Sequence, residues 1–383
     1  MTREWLRTLA HKADLRERAG LRRELRPRDP GDHLIDLAGN DYLGLSRHPD
    51  VLSASAKALF EYGLGAAGSR LVRGSTAAHA ELEDALAGWL GVPSALVFSS
   101  GYLANLGAVR ALVQPRTLIV SDAHNHASLI DGIRATGAET VVTPHADVAA
   151  VDAALAAHPG RPALVVTESV FSVDGDLADL PALHTAARRH GALLLVDDAH
   201  ATGLLGPAGA GGVAAAGLAG EPDVIVTATL SKAFGAAGGV VAGPAPLRAH
   251  LVDTGRTFIF DTALPPAVAA GAHAALTVIR GAAGEALRAE LTTRAATASA
   301  RLRAADLDAT VPAGGVISVT APSPQAAVEW AAACRDRGVA VGCFRPPSTP
   351  DSRARLRLTV NAGIPAGDFA HALDVVVASA PER

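Results

Sequence analysis

Val224-Ile225-Val226-Thr227-Ala228-Thr229-Leu230-Ser231-Lys232-Ala233-Phe234-Gly235-Ala236-Ala237-Gly238-Gly239-Val240-Val241-Ala242 runs from a β-branched segment through a polar stop and a glycine-rich loop into a second apolar segment. Neither apolar run alternates with polar residues, which predicts strands covered on both faces at Val224–Ala228 and Gly239–Ala242. Five runs of the same kind precede them, at Ala95–Phe98, Thr117–Val120, Thr140–Thr143, Ala163–Thr167 and Ala192–Val196. Between these, Ala77–Leu90, Leu103–Leu112, Ser128–Ala135, Val148–Ala156 and Leu180–His190 place apolar residues at the helical period and suit crossover helices. Strand and helix in alternation predict an α/β domain with a doubly wound sheet.

Beyond residue 280 the texture changes. A long Ala/Arg/Leu helix at about 284–304, a strand at 315–320, a helix at 325–337, strands at 339–344 and 355–360 and a last helix predict a smaller α+β domain. A helix over about 2–25 precedes any strand, so the expected division is an N-terminal arm at 1–45, a large domain at 46–280 and a small one at 281–383. Gly206–Gly220 is rich enough in Gly and Ala to read as a loop.

Composition narrows the function. Of 383 residues, 49% are hydrophobic and 19% charged, which excludes long disorder, and two cysteines exclude a disulfide scaffold or a multi-cysteine metal cluster. With 34 basic and 38 acidic residues, and no basic block, nothing suggests a sequence-independent grip on nucleic acid. The N-terminal residues are dotted with Arg and Glu, and no long uncharged stretch escapes Gly and Pro, so a cytoplasmic chain with no membrane partner is expected.

Functional groups in open α/β sheets gather at the carboxyl ends of strands. Lysine occurs three times, at 12, 57 and 232, against 31 arginines. Lys232 lies at such an end, among small residues, and a Schiff base needs a primary amine that can lose its proton, which arginine cannot supply. Asp197 ends the strand before it, followed by His200. An acid there can be a helix N-cap, or it can hold the proton on a pyridine nitrogen and make that ring an electron sink. Ser100-Gly101-Tyr102 begins a helix after a strand, where free N–H groups bind anions, although Ser-Gly is also an ordinary turn. Thr229 and Ser231 offer hydroxyls nearby. His126 suits stacking on an aromatic ring, while Asp122, His124 and His126 also resemble half a metal site. No further cluster has ligand spacing, so no metal is expected.

Assembled in this order, the chain resembles a fold-type I pyridoxal-phosphate enzyme of the α-oxoamine synthase family. The resemblance covers most of the chain and is carried by Asn40-Asp41-Tyr42-Leu43-Gly44-Leu45, Gly68-Ser69-Arg70-Leu71-Val72-Arg73-Gly74, Asn125-His126-Ala127-Ser128, the run from Glu168 to Asp176, Asp197-Asp198-Ala199-His200-Ala201-Thr202-Gly203 and Thr229-Leu230-Ser231-Lys232. It implies pyridoxal 5'-phosphate joined to Lys232, with Asp197 on the ring nitrogen, His200 and Ser172 at the ring hydroxyl and His126 stacked over the ring. The backbone of Gly101 and Tyr102, with Thr229, would hold the phosphate, and Thr262 would reach in from the neighbouring subunit of a homodimer. Arg357 is similar to the family's carboxylate clamp; Ser348, Asn40 and Arg22 match further substrate contacts. The compact length and the Gly-Ser-Arg-Leu-Val segment look most like members that condense L-alanine with a pimeloyl thioester in biotin synthesis, with glycine C-acetyltransferase as the alternative. Tyr102 and Asp261 depart from the commoner phenylalanine and serine or threonine. Two rivals from other classes are a metal-dependent hydrolase using Asp122, His124, His126 and His200, and an inactive fold that only binds.

Overall fold

A computed structural model describes residues 2–349 and 351–381. The chain divides into two units: one of Asn40–Ser172 and Asp176–Thr292, the other of Met1–Gly39, Val173–Gly175 and Thr293–Arg383. Strand β1 (Ile35–Leu37) belongs to the smaller unit. The larger contains β2 (Ser94–Phe98), β3 (Leu118–Asp122), β4 (Glu139–Thr143), β5 (Ala163–Glu168), β6 (Leu193–Asp197), β7 (Val224–Thr229) and β8 (Gly239–Gly243).

These seven strands form one sheet in the order β2-β8-β7-β6-β5-β3-β4. Only β8 runs against its neighbours. The reason is local, because loop 230–238 returns the chain directly, too short a path for the crossover that a parallel neighbour needs. The loop is pinned by Leu230 N–H to Gly238 O at 3.0 Å and Gly235 N–H to Lys232 O at 2.8 Å. Leu96, Phe98, Ile119, Leu164, Leu195 and Ile225 pack with Val109 and Phe258 in a buried core beside the helix Gly101–Leu112. Each such side chain contributes about 1.5–3 kcal/mol on burial, which holds the strand ends at fixed positions.

In the smaller unit, β9 (Val316–Thr320), β10 (Val339–Phe344) and β11 (Arg355–Thr359) complete a sheet ordered β1-β10-β11-β9. β1 pairs in parallel with β10, Ile35 opposite Val339, so residues up to Gly39 join this unit rather than stand as an arm. Trp330, on the helix Pro324–Asp336, is buried and donates from Nε1 to Val376 O at 2.9 Å, tying that helix to Ala366–Ala378. The N-terminal helix ends at Arg18, short of the expected 25, as Gly20 turns the chain at φ 65°. Residues 206–220 are not all loop, since Gly212–Ala215 form a helical turn. Among the described residues no helix is long and apolar enough to cross a membrane.

Candidate active site

The carboxyl ends of β2, β5, β6 and β7 open on a cavity of about 220 Å³. Gly101, Tyr102, His126, Asp197, His200, Thr229 and Lys232 all line it. Lys232 is half-buried in loop 230–238. Asp197, the last residue of β6, is buried and has a donor on each oxygen: Asn105 Nδ2 at 2.7 Å on Oδ2 and Ala199 N–H at 3.0 Å on Oδ1. His200 is buried, with Nδ1 2.6 Å from the hydroxyl of the fully buried Tyr42. His126 stands at the mouth with an exposed face, its Nδ1 edge 2.7 Å from Ser128 Oγ.

One end of the cavity is built for an anion. Ser100 caps the helix Gly101–Leu112 by accepting from Leu103 N–H, leaving the first-turn N–H groups directed outward. A Cβ on Gly101 would lie 3.0 Å from Thr229 Cβ, and one on Gly239 would lie 2.2 Å from Ser100 O. Glycine is therefore required at 239, and at 101 a side chain would press on Thr229. Thr229 Oγ1 lies 2.8 Å from Ser231 Oγ, adding hydroxyls to the same corner.

The family model for aminotransferase class I and II matches residues 32–376. An 8-amino-7-oxononanoate synthase of Mycolicibacterium smegmatis is 53% identical, over 98% of both chains. The chain belongs to the class I and II aminotransferase family, among the 8-amino-7-oxononanoate synthases. Solved structures agree. A serine palmitoyltransferase from S. paucimobilis, with a bound PLP–myriocin aldimine, superposes with a TM-score of 0.90 at 31% identity, covering 97% of this chain and 96% of that one. An 8-amino-7-oxononanoate synthase from Francisella tularensis gives 0.76 at 26% identity, covering 91% and 98%.

Pyridoxal phosphate is the cofactor of this family, and the cavity meets its needs. A primary amine, a hydrogen-bonded carboxylate and an anion cradle in which a side chain at Gly101 would crowd Thr229 lie around one space. The buried Asn105 Oδ1 and Glu168 Oε1 have no protein partner. Glu168 is a member of the site that sequence reasoning quoted within a motif without assigning a role. Burial, with the Asp197 charge beside it, pushes its carboxyl well above the usual range.

The remaining expected residues divide. Ser172 is half-buried and Thr262 exposed, and neither lines the cavity of this chain. Asn40 lies 3.5 Å from the Tyr42 hydroxyl through its Oδ1. In the smaller unit, Arg22 is exposed and paired with Glu17 at 2.8 Å, while its neighbour Arg23 donates to Ser348 Oγ at 2.7 Å. Arg357 is buried over the Phe344 ring at 5.4 Å and donates to Thr359. Arg355 is already held by Asp174 and Asp351.

The hydrolase quartet does not form. Among the described residues, the group that gathers three ligand atoms is His184, Glu221 and Asp223, and Arg188 bridges both of its acids. Asp122 instead binds His145 at 3.0 Å, and Asp176 takes the other ring nitrogen at 2.9 Å. Burial opposes a charge on His145, yet the hydrogen bonds and charges of the two aspartates prevail and raise it to about 10. His124 stacks on that ring at 3.8 Å. These residues hold Asp176 beside the ends of β3 and β4.

Proposed function

We propose that the protein condenses L-alanine with a pimeloyl thioester, releasing carbon dioxide and the thiol and forming 8-amino-7-oxononanoate, a step of biotin biosynthesis. The observation that carries this reading is near full-length identity of 53% to a synthase of that name, joined to a cavity whose lining fits the cofactor. Lys232, Asp197, His126 and His200, with the backbone of Gly101 and Tyr102 and the hydroxyl of Thr229, hold pyridoxal phosphate; Ser172 and a neighbouring subunit's Thr262 complete the set. When bound, the cofactor supplies an electron sink for the charge left at the amino acid's Cα after proton loss.

The chain's own groups do the rest. Lys232 Nζ removes the Cα proton and returns one at the end. Asp197, whose oxygens accept from Asn105 Nδ2 and the Ala199 N–H, would meet the ring nitrogen and favour a positive charge there. Arg357 binds the amino-acid carboxylate in a two-pronged pair; Arg22, Asn40 and Ser348 assist substrate binding. The working form is a homodimer.

The test compares alanine with glycine, and pimeloyl- with acetyl-coenzyme A, on one preparation. Five buried methylenes at about 0.8 kcal/mol each favour pimeloyl by orders of magnitude, and the methyl of alanine is worth about 10–200-fold. Faster turnover of glycine with acetyl-coenzyme A would make the protein a glycine C-acetyltransferase.

A further inference from the structure

Four side chains around the cavity form one unbroken hydrogen-bonded chain, and two of them, Asn105 and Ser128, have no role in the reaction above. Asn105 Nδ2 donates to Asp197 Oδ2 at 2.7 Å and to Ser128 Oγ at 2.8 Å, and Ser128 Oγ lies 2.7 Å from His126 Nδ1. Asn105 and Ser128 are buried. Valence sets the proton directions. The amide nitrogen has two hydrogens and meets two acceptors. The Ser128 backbone N–H also points at His126 Nδ1, at 3.3 Å, so that nitrogen is unprotonated. The Ser128 hydroxyl, accepting from Asn105, then sends its own hydrogen to Nδ1, and the imidazole proton resides on Nε2.

The orientation of Asn105 is not free. Turned over, the amide would set its oxygen against Asp197 Oδ2, acceptor against acceptor. As it stands, Asn105 Oδ1 is buried without a protein partner. A side chain chosen only for packing would not leave a buried amide oxygen bare, since that costs free energy and leucine would fill the space without it.

We infer that Asn105 is a positioning residue that, through Ser128, sets where the site's protons reside: it keeps Asp197 an acceptor-only carboxylate and commits His126 to its Nε2–H form. The inference rests on the proposed function only in taking Asp197 and His126 as the residues that meet the cofactor ring. The charged groups facing the imidazole are Asp197, Lys232 and Asp131, with Glu168 behind its backbone N–H. Desolvation of the enclosed Nδ1 edge lowers the pKa of His126, although its outer face is open to solvent.

The test is nitrogen NMR of the holoenzyme carrying labelled histidine, with the His126 signals identified by their loss in His126→Asn. At neutral pH the wild type shows Nε2 protonated and Nδ1 bare. Ser128→Ala removes the donor that favours this neutral form, so His126 takes up a proton at a pH higher by about one unit, the size of one neutral hydrogen bond. Asn105→Leu shifts it in the same direction by less, and the double variant moves no further than Ser128→Ala, whereas independent structural effects would add. A wild-type signal with Nδ1 protonated, or unchanged titration in Ser128→Ala, overturns the relay. If Asn105→Leu does not yield folded holoenzyme, Ser128→Ala decides alone. The readout needs no turnover, so the relay can fail while alanine condensation, and its loss in Lys232→Ala, still support the proposed function.

Discussion

Glu168 and Asp197 are register partners at the ends of adjacent strands, and their surroundings drive them apart. Asp197 receives two N–H donors; Glu168 receives Ser172 N–H at 3.2 Å, has the His126 backbone N–H against the same carboxyl, and leaves Oε1 without a protein partner. Burial and the neighbouring Asp197 charge push the Glu168 carboxyl well above its ordinary range. Glu168→Gln, which preserves shape and a donor, is expected to hold cofactor affinity within about threefold, while Glu168→Ala loses roughly tenfold or more. Titrating apoprotein with pyridoxal phosphate measures both, and a Gln variant as weak as Ala would show that an ionised carboxylate is required. Asp198, next in the chain, is fully buried and held by Ser169 and the Gly212 N–H. Burial raises its carboxyl to about 7. Because the folded state then binds a proton that the unfolded chain has released, stability falls as pH rises from about 4 to 7, by up to about 1.4 kcal/mol per pH unit. Asp198→Asn flattens that slope in denaturant unfolding measured across the window; an unchanged slope would show that Asp198 is ionised throughout. Lys232 and Asp197 were legible because strand ends expose chemistry to sequence reading. Asn105, Ser128 and Tyr42 were not, since their roles exist only through partners as far as 92 and 158 positions away.

Elements were legible where burial makes the pattern sharp. All seven strands of the large sheet are found within a few residues of expectation; six are apolar runs largely enclosed by the fold, while the edge strand β4 is mostly unburied and was read from its β-branched residues. The helix Pro49–Tyr62 escaped because few of its residues are buried and Leu52, Leu59 and Phe60 are exposed, which blurs the helical period. Pro266–Arg280 is so rich in alanine that it has little contrast to read. β1 is three residues long and owes its existence to β10, far along the chain. The junction of β8 with the helix Gly101–Leu112 gives an element-scale prediction. Gly239→Ala would set a methyl 2.2 Å from Ser100 O and 2.7 Å from Gly101 Cα, both backbone atoms. It should destabilise the protein by roughly 1–3 kcal/mol and weaken cofactor binding together. Gly88, inside the helix Ala77–Leu90, meets nothing within 4 Å, so Gly88→Ala should stabilise by about 0.5–1 kcal/mol. Denaturant midpoints check the pair, and equal effects would refute the close-approach argument.

At the scale of the molecule, several large apolar side chains of the larger unit stand exposed, although Arg256 lies over the Phe260 ring at 4.7 Å. Phe60 is 90% exposed, Leu64 84%, Val72 74% and Phe260 71%. Segments 68–74 and 256–263 are neighbours, joined by Ala263 N–H to Gly68 O at 2.9 Å and by Arg70 over the Phe258 ring. Apolar exposure of this kind marks an interaction surface, and Thr262 lies beside it. A second copy of the chain is the occupant that the proposed function requires. Phe260→Asp should shift the sedimenting species from dimer toward monomer and lower activity with it, whereas a wild-type protein that sediments as monomer would contradict the assembly.

The central claim is that this cavity holds pyridoxal phosphate on Lys232, and three lysines in the chain make it directly testable. Borohydride reduction of the yellow holoprotein, followed by peptide mass analysis, should place one pyridoxyl group on Lys232 and leave Lys12 and Lys57 unmodified. A label on Lys12 or Lys57, or none despite bleaching, would contradict the account.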